Sequence, residues 1–359
     1  MSFTILTLLQ FVIVLGLLLF FHEFGHFLFA RLFNIEVEEF GFGFPPRIAR
    51  LFTWKGTEFT LNWIPFGAFV RPKGENDPEV PGGLAAANPW KRLLVLLGGP
   101  LMNVLLGIIL FSVMFLRVGA PNTVVVQVVD LAPGSPAAQA GLKTGDVITA
   151  IDGTPVKSMD NLHNLVQQNL GQQVTLAYSR DGVEKITQLT PRKNPPSGEG
   201  PLGIVMGNPY VPVTIGQAVP MATSTAYEQA HQFVLLPVRL IRGQTNPEET
   251  RLVGPKGMFD IYQEAVRRDE QASTTPTSTP AVNVLWLMGT ISIALGLTNL
   301  LPIPALDGGR ILFVLAEILF RRRVPAQYEN VVHLIGFAAL LLLMTYVTFQ
   351  DFANPILQP

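Results

Sequence analysis

Cysteine is absent from all 359 residues, which excludes disulfides, thiolate metal sites and a cysteine nucleophile. Charge is also scarce: Asp, Glu, Lys and Arg make up 14% of the chain, against ~25% in ordinary soluble domains. The formal net charge is −1, so the electrostatic footprint of a nucleic-acid binder is missing. Histidine occurs only at positions 22, 26, 163, 231 and 333. Any metal held by side chains must therefore draw on these few imidazoles and on carboxylates. A basic n-region is lacking too, because the chain opens Met-Ser-Phe-Thr. The first apolar run ends in His-Glu and not in a small-residue cleavage site, so a retained membrane span is expected in place of a secretory signal.

What is present is apolar length. Hydrophobic residues make up 48% of the chain, and four segments reach the ~20 residues a helix needs to cross a bilayer. They run from about Phe3 to Phe33, from Leu93 to Leu116, from Ala281 to Phe320 with an interruption at Asp307, and from Val331 to Phe349. Arg31, Lys91, Arg92 and the Arg321–Arg323 cluster flank one set of span ends. The excess of basic residues there assigns the 34–92 loop to the cytoplasm, and both termini and the large 118–280 segment to the opposite side. The expected class is a polytopic α-helical membrane protein of about four transmembrane helices, with a membrane-associated β-hairpin and an extracytoplasmic α+β domain.

The expected organisation is a first helix over 1–33, a hairpin loop over 34–89, a second helix over 90–117 and a folded domain over 118–207. A linker with an amphipathic helix follows over 208–280, then a third helix over 281–320 and a fourth over 328–350. "EEFGFGFPPRIARLF" and "GTEFTLNWIPFGAFVRP" alternate and carry Gly and Pro punctuation, as a hairpin does. The loop is apolar enough to dip into the membrane where protein covers its backbone. In the external segment, "TVVVQVV", "DVITAIDG" and "QVTLAYSR" read as short strands, with a helix near Asn161–Asn169. Residues 226–243 look amphipathic and suited to a membrane surface, and "QASTTPTSTP" reads as a linker.

The chemistry concentrates in His22-Glu23-Phe24-Gly25-His26, an H-E-x-x-H pattern. On a helix, positions i and i+4 share a face, so both imidazoles can hold one zinc ion while the adjacent Glu23 activates water. Titratable groups in an apolar span cost several kcal/mol each, so three together imply a function. A catalytic zinc takes three protein ligands and keeps one position open. His163 and His231 lie in the external segment, and His333 has no acidic companion, so Asp307 is the expected third ligand. Its surroundings, "NLLPIPALDGGR", break the helix at Pro302 and Pro304 and turn tightly at Gly308 and Gly309. Broken backbone at membrane depth implies a protein-lined cavity; a plain helix-ending loop with a solvated Asp307 is the alternative.

The order of these motifs resembles the site-2 proteases, intramembrane zinc metalloproteases of the bacterial type that cut membrane-bound anti-sigma proteins. His22–His26 matches the family's first-span motif, "GGPLMN" (Gly99, Pro100, Asn103) its second-span motif, and "NLLPIPALDGG" (Asn299 to Gly309) its third-ligand signature. Ala68 stands where the family usually has a glycine. The resemblance implies one catalytic Zn2+ held by His22, His26 and Asp307, with Glu23 as the base. It further implies that Asn103 and Asn299 orient substrate, although helix–helix hydrogen bonding is an equal reading of those amides. "SPAAQAGLKTGDVITAIDGTPV" resembles a PDZ domain, and Leu202, Gly203 and Ile204 resemble the loop that receives a peptide terminus there. Size exclusion is the alternative role for that domain. The implied partners are a transmembrane protein substrate, a peptide or protein terminus at the PDZ domain, and membrane lipid. A membrane scaffold with a structural zinc would have no use for Glu23, and a zinc transporter would line a path with more polar residues than spans two and four contain.

Overall fold

The structure is a computed structural model that describes residues 2–75, 77–245, 251–274 and 281–356. Helix α1 (Ser2–Leu32) leads into strands β1 (Val37–Trp54) and β2 (Thr57–Pro72) and then helix α2 (Pro89–Val118). Next come β3 (Ala120–Pro121), β4 (Val126–Leu131), α3 (Pro136–Gln139), β5 (Val147–Ile151), β6 (Thr154–Pro155) and α4 (Met159–Gln168). Strands β7 (Val174–Arg180), β8 (Val183–Leu189), β9 (Ile204–Gly207) and β10 (Tyr210–Val211) complete that region. Helices α5 (Ile215–Ile241), α6 (Pro255–Thr274), α7 (Asn283–Asn299), α8 (Asp307–Phe320) and α9 (Ala326–Ala353) follow. The chain forms two compact units, one of Met1–Arg117 with Thr214–Pro359 and the other of Val118–Val213.

Among the described residues, three helices are long and apolar enough to cross a membrane: Ile5–Leu32, Pro89–Val118 and Ala326–Ala353. Their outward faces carry large apolar side chains. On α9, Leu334, Leu342 and Phe349 are each about 70% exposed (67%, 72% and 71%), a surface that water does not tolerate and lipid does. The expected single third span is instead two helices. α7 has 17 residues, about 25 Å at 1.5 Å per residue, and the chain leaves helical form until α8 begins at Asp307. Pro302 and Pro304 supply no N–H, so short turns such as Ile303 N–H to Leu301 O at 2.7 Å take over.

α1 and α2 cross closely because neither has a side chain at the contact. A Cβ on Gly25 would stand 2.1 Å from Gly98 O, so glycine alone permits this separation. Ser292 on α7 donates to Asn103 O on α2 at 2.7 Å, and Arg92 on α2 pairs with Glu317 on α8 at 2.7 Å. Arg92 is 6% exposed, so one of the basic residues that orient the spans is also an internal tie.

The hairpin is more folded than its sequence suggests. Glu39 in β1 lies opposite Arg71 on one flank and opposite Glu58 on the other, so β1 begins between the two halves of β2. The buried Glu39 carboxylate holds this arrangement. It accepts from Thr60 Oγ1 and Arg47, both at 2.7 Å, and pairs with Arg71 at 2.6 Å. Each neighbouring segment therefore contributes one donor to a single carboxylate. Phe40 and Phe42 then pack on Phe20 and Phe27 of α1 with ring centroids 5.5 Å apart, fixing the sheet against the helix that carries the histidines.

The expected linker over 208–280 is largely structured. β10 pairs with β3 in the second unit. α5 starts at Ile215, well before the amphipathic stretch read from sequence, and buries Ala218, Ala222 and Ala226. Ala222 and Ala226 pack with Phe111 and Ile293. Small residues at a spacing of four give a face for close helix packing, which composition alone does not distinguish from a surface helix. In α6, Tyr262 and Ala265 are buried, and Phe259 and Tyr262 pack on Phe11 of α1. Of the expected linker "QASTTPTSTP", residues 271–274 belong to α6; residues 275–280, like 246–250, lie outside the described residues.

The second unit holds a sheet of order β8-β7-β5-β4-β9, with β6 beside β5. Val126, Val128, Ile148, Ile151, Leu162 and Leu176 fill its core. Ser158 caps α4 by accepting from Asn161 N–H at 3.1 Å. Asp146 is fully buried and bound by Arg180 through two 2.7 Å contacts. Burial opposes its ionisation, but Arg180 and the Lys143 N–H outweigh that and hold the carboxyl below the usual carboxylate range. A depressed folded pKa gives stability that is present above the unfolded pKa of ~3.9 and is lost as pH falls through the folded value. In urea unfolding of a Val118–Val213 fragment, the midpoint is expected to hold from pH 7 to about 5 and to drop below about 4. Asp146→Asn should lower it at neutral pH and flatten the acid limb; an unchanged acid limb would assign the drop to other carboxylates.

Candidate active site

His22 and His26 project from one face of α1, one helical turn apart. Asp307 reaches them from the first residue of α8. His22 Nε2 lies 3.0 Å and His26 Nε2 3.3 Å from Asp307 Oδ2, and the two Nε2 atoms are 3.2 Å apart. These three residues form the group able to hold a metal among the described residues. All four expected residues of the centre are thus brought to one place, since Glu23 and His26 line one cavity with Asp307.

The other ring nitrogens decide the tautomers. His26 Nδ1 is 2.9 Å from Val95 O, a carbonyl that can only accept, so Nδ1 carries a proton, and in the neutral ring Nε2 keeps the lone pair that a metal takes. His22 Nδ1 is 3.1 Å from the terminal amide of Asn103. Asn103 Oδ1 is buried with no hydrogen-bond partner among the described residues. Turning the amide so that Oδ1 accepts from His22 Nδ1–H satisfies both groups and frees His22 Nε2 as well. Asn103, expected to orient substrate or to join helices, therefore lies behind His22 and holds its ring.

Asp307 Oδ2 is likewise buried without a hydrogen-bond partner among the described residues. Three such atoms facing one point at 3.0–3.3 Å repel one another as lone pairs unless a proton or a metal cation sits between them. Tetrahedral zinc with bonds of ~2.0–2.1 Å places its ligand atoms about 3.3 Å apart. The residues present fit that ion. The backbone of α2 closes the far side: a Cβ on Gly99 would fall 2.4 Å from His26 Nε2 and 2.8 Å from His22 Cε1.

Glu23 is the next residue around α1 from His22. Its Oε2 accepts from Val70 N–H of β2 at 3.2 Å. Val70 is opposite Phe40, so this N–H points away from the β1 ladder and towards the helix. The cavity beside Glu23 has a volume of about 240 Å³, with Phe69, Val70, Pro72 and Leu84 on the hairpin side and Ala305 and Arg310 near Asp307.

The remaining expected residues lie elsewhere. Asn299 Nδ2 donates to Leu295 O of its own helix at 3.0 Å and does not line the cavity. Leu202 is 3% exposed in the core of the Val118–Val213 unit. Gly203 has φ +69°, its N–H donates to Gly200 O and its carbonyl accepts from Ala132 N–H, while Ile204 opens the edge strand β9. One contributor escaped the sequence reading: His333 Nδ1 accepts from Ala305 N–H at 2.8 Å. Ala305 has φ +78°, so a histidine on α9 steadies a strained turn two residues before Asp307. A lone span histidine gives no sequence signal of that role.

Comparison with known proteins bears on this geometry. The family model described as peptidase family M50 matches residues 10–343. The chain belongs to peptidase family M50. A Clostridium perfringens protein named as a putative zinc metalloprotease is 32% identical, over 94% of this chain and 95% of that one. Zinc metalloprotease RasP of Geobacillus kaustophilus is 29% identical over 97% and 98%. Among solved structures, the PDZ domain of the SdrC-like protein of Listeria monocytogenes is 26% identical over 23% of this chain and 85% of that chain, with a TM-score of 0.21. This M50 protein is a zinc metalloprotease of the site-2 protease kind, and its cofactor is zinc.

Asn103→Ala leaves the His22 Nδ1–H without its acceptor, and the loss of such a partner typically weakens metal affinity ~10–100-fold. Chelator competition on the purified M50 protein should show this weakening. Gly99→Ala should reduce zinc content more severely, because its methyl group enters the ligand cluster.

Proposed function

We propose that this protein cuts peptide bonds within transmembrane helices, using His22, His26 and Asp307 as zinc ligands and Glu23 as general base. The observation that supports this most strongly is the convergence of three acceptor atoms at 3.0–3.3 Å on helices that flank a Glu23-lined cavity. When bound, zinc polarises the scissile carbonyl and lowers the pKa of the attacking water. Glu23 takes the proton of that water on its carboxylate and returns a proton to the leaving amine. Its hydrogen bond from Val70 N–H fixes the carboxylate plane without consuming both oxygens. His26 and His22 hold their ring protons on Nδ1, towards Val95 O and Asn103, and so present neutral Nε2 atoms.

A helix hides its peptide bonds in its own hydrogen bonds, so the substrate segment must unwind before it is cut. The outer edge of β2 near Phe69–Pro72 offers a strand against which it extends. Phe69, Val70, Leu84, Val95 and Leu96 give part of the cavity wall apolar contacts for such a segment. The substrates of this reading are single-span membrane proteins, with anti-sigma-like regulators as the class that the sequence resemblance implies. The protein resides in the plasma or inner membrane, with the Val118–Val213 unit and both termini outside and the site towards the cytoplasm. The Val118–Val213 unit, PDZ-like by sequence, presents β9 as a sheet edge for a peptide or protein terminus.

The test is cleavage of a model protein with one transmembrane helix by the purified protein in liposomes. A cut inside the helix should be lost in Glu23→Gln, with zinc retained, and lost on chelation in wild type. Cleavage that survives in Glu23→Gln would remove Glu23 from the role of base.

A further inference from the structure

The cavity beside the ligand cluster contains three carboxylates, those of Glu23, Glu75 and Asp307, and a single guanidinium, Arg310. Carboxylates accept hydrogen bonds and do not donate them. Two nearby donors are committed: His26 Nδ1–H to Val95 O and Val70 N–H to Glu23. Arg310 lies three residues beyond Asp307 on α8, on the same face of the helix. Its Nη1 is ion-paired with Glu75, on the turn that follows β2. The Arg310 side chain makes no other hydrogen bond among the described residues. A guanidinium has five N–H donors, so most of its capacity is uncommitted and open to the cavity. Arg310 and Glu75 are 38% and 30% exposed, so neither side chain is sealed inside the protein. A peptide carbonyl that enters the cavity competes with Glu75 for the guanidinium.

Peptide hydrolysis puts negative charge on the carbonyl oxygen as the water oxygen bonds to the carbonyl carbon. The C–N bond then breaks and the amine leaves with a proton. An acceptor-rich cavity opposes that charge unless a donor faces it. We propose that Arg310 is a catalytic residue that leaves Glu75 when a peptide enters and donates to the carbonyl oxygen of the bond being cut. It stays protonated throughout and transfers no proton. Glu75 holds the guanidinium across the cavity in the free enzyme and has no part in the reaction. The inference rests on the reading of this cavity as the peptidase centre.

The experiment measures kcat and KM for the single-span model substrate in liposomes, with zinc content, for wild type, Arg310→Gln, Arg310→Lys, Glu75→Gln and Glu23→Gln. Loss of one donor to a developing oxyanion costs about 10²–10³ in kcat, so Arg310→Gln should fall by that factor with zinc content and KM near wild type. Arg310→Lys keeps the charge but not the planar fork and should recover about a tenth of wild-type kcat. Glu75→Gln should keep kcat at or above wild type. Equal losses in Arg310→Gln and Glu75→Gln would mean that the pair is only a latch, and would overturn the proposal. So would wild-type kcat in Arg310→Gln, or a loss that tracks missing zinc. If Arg310→Gln misfolds, the contrast between Arg310→Lys and Glu75→Gln decides. Activity in Glu23→Gln would reject the underlying reading of the site instead.

Discussion

Two imidazole nitrogens and one carboxylate oxygen that face each other at 3.0–3.3 Å set the terms for the rest of this structure. In water such lone pairs would take protons or turn outward. Here α2 blocks one side through the bare backbone at Gly99, and Val95 O and Asn103 hold the rings in orientation from behind. A divalent cation is the chemically consistent occupant of that arrangement. The geometry is costly to assemble without one, and the neighbouring helices supply the rigidity that keeps it assembled.

The membrane setting explains why so much surrounding structure serves a few polar atoms. Irregular backbone must have its polar groups satisfied by other means, and the 300–306 turn is stitched by its own short hydrogen bonds and by His333 from α9. The hairpin faces the same constraint. Glu39 binds Thr60, Arg47 and Arg71 at once, which internalises its charge, while the Phe20–Phe27–Phe40–Phe42 cluster presses the sheet against α1. The strand edge so positioned brings Val70 N–H to Glu23. Support of the histidines and orientation of Glu23 therefore depend on the same packing.

Zinc chemistry was legible in the sequence because its signal is local. His22 and His26 lie one helical turn apart, Glu23 is adjacent, and an apolar span makes such residues conspicuous. Asp307 was legible for a related reason, since Pro302, Pro304, Gly308 and Gly309 mark a break in apolar helix. Asn103 was noticed and expected either to orient substrate or to join helices; its contact with His22 depends on how α1 and α2 cross, which motif order does not encode. The folding of β1 between the two halves of β2, and the packing of α5 and α6 in a stretch read as a linker with one amphipathic helix, were not legible either. Both result from contacts between residues far apart in the chain.

The sequence by itself determined the residue types able to bind zinc, the helical spacing that pairs two of them, the apolar spans that carry them and the point at which the third span breaks. These follow from periodicity, propensity and the cost of charge in lipid, all properties of short segments. Tertiary structure alone decided that Asp307 meets His22 and His26 within bonding range of one ion, that Asn103 and Val95 fix the tautomers, and that Glu23 faces a strand edge. It also decided that Arg310 shares the cavity with Glu75, 235 positions away in the chain. Those outcomes depend on helix crossing and loop closure, whose free energies are summed over many weak contacts and are not written in any single stretch.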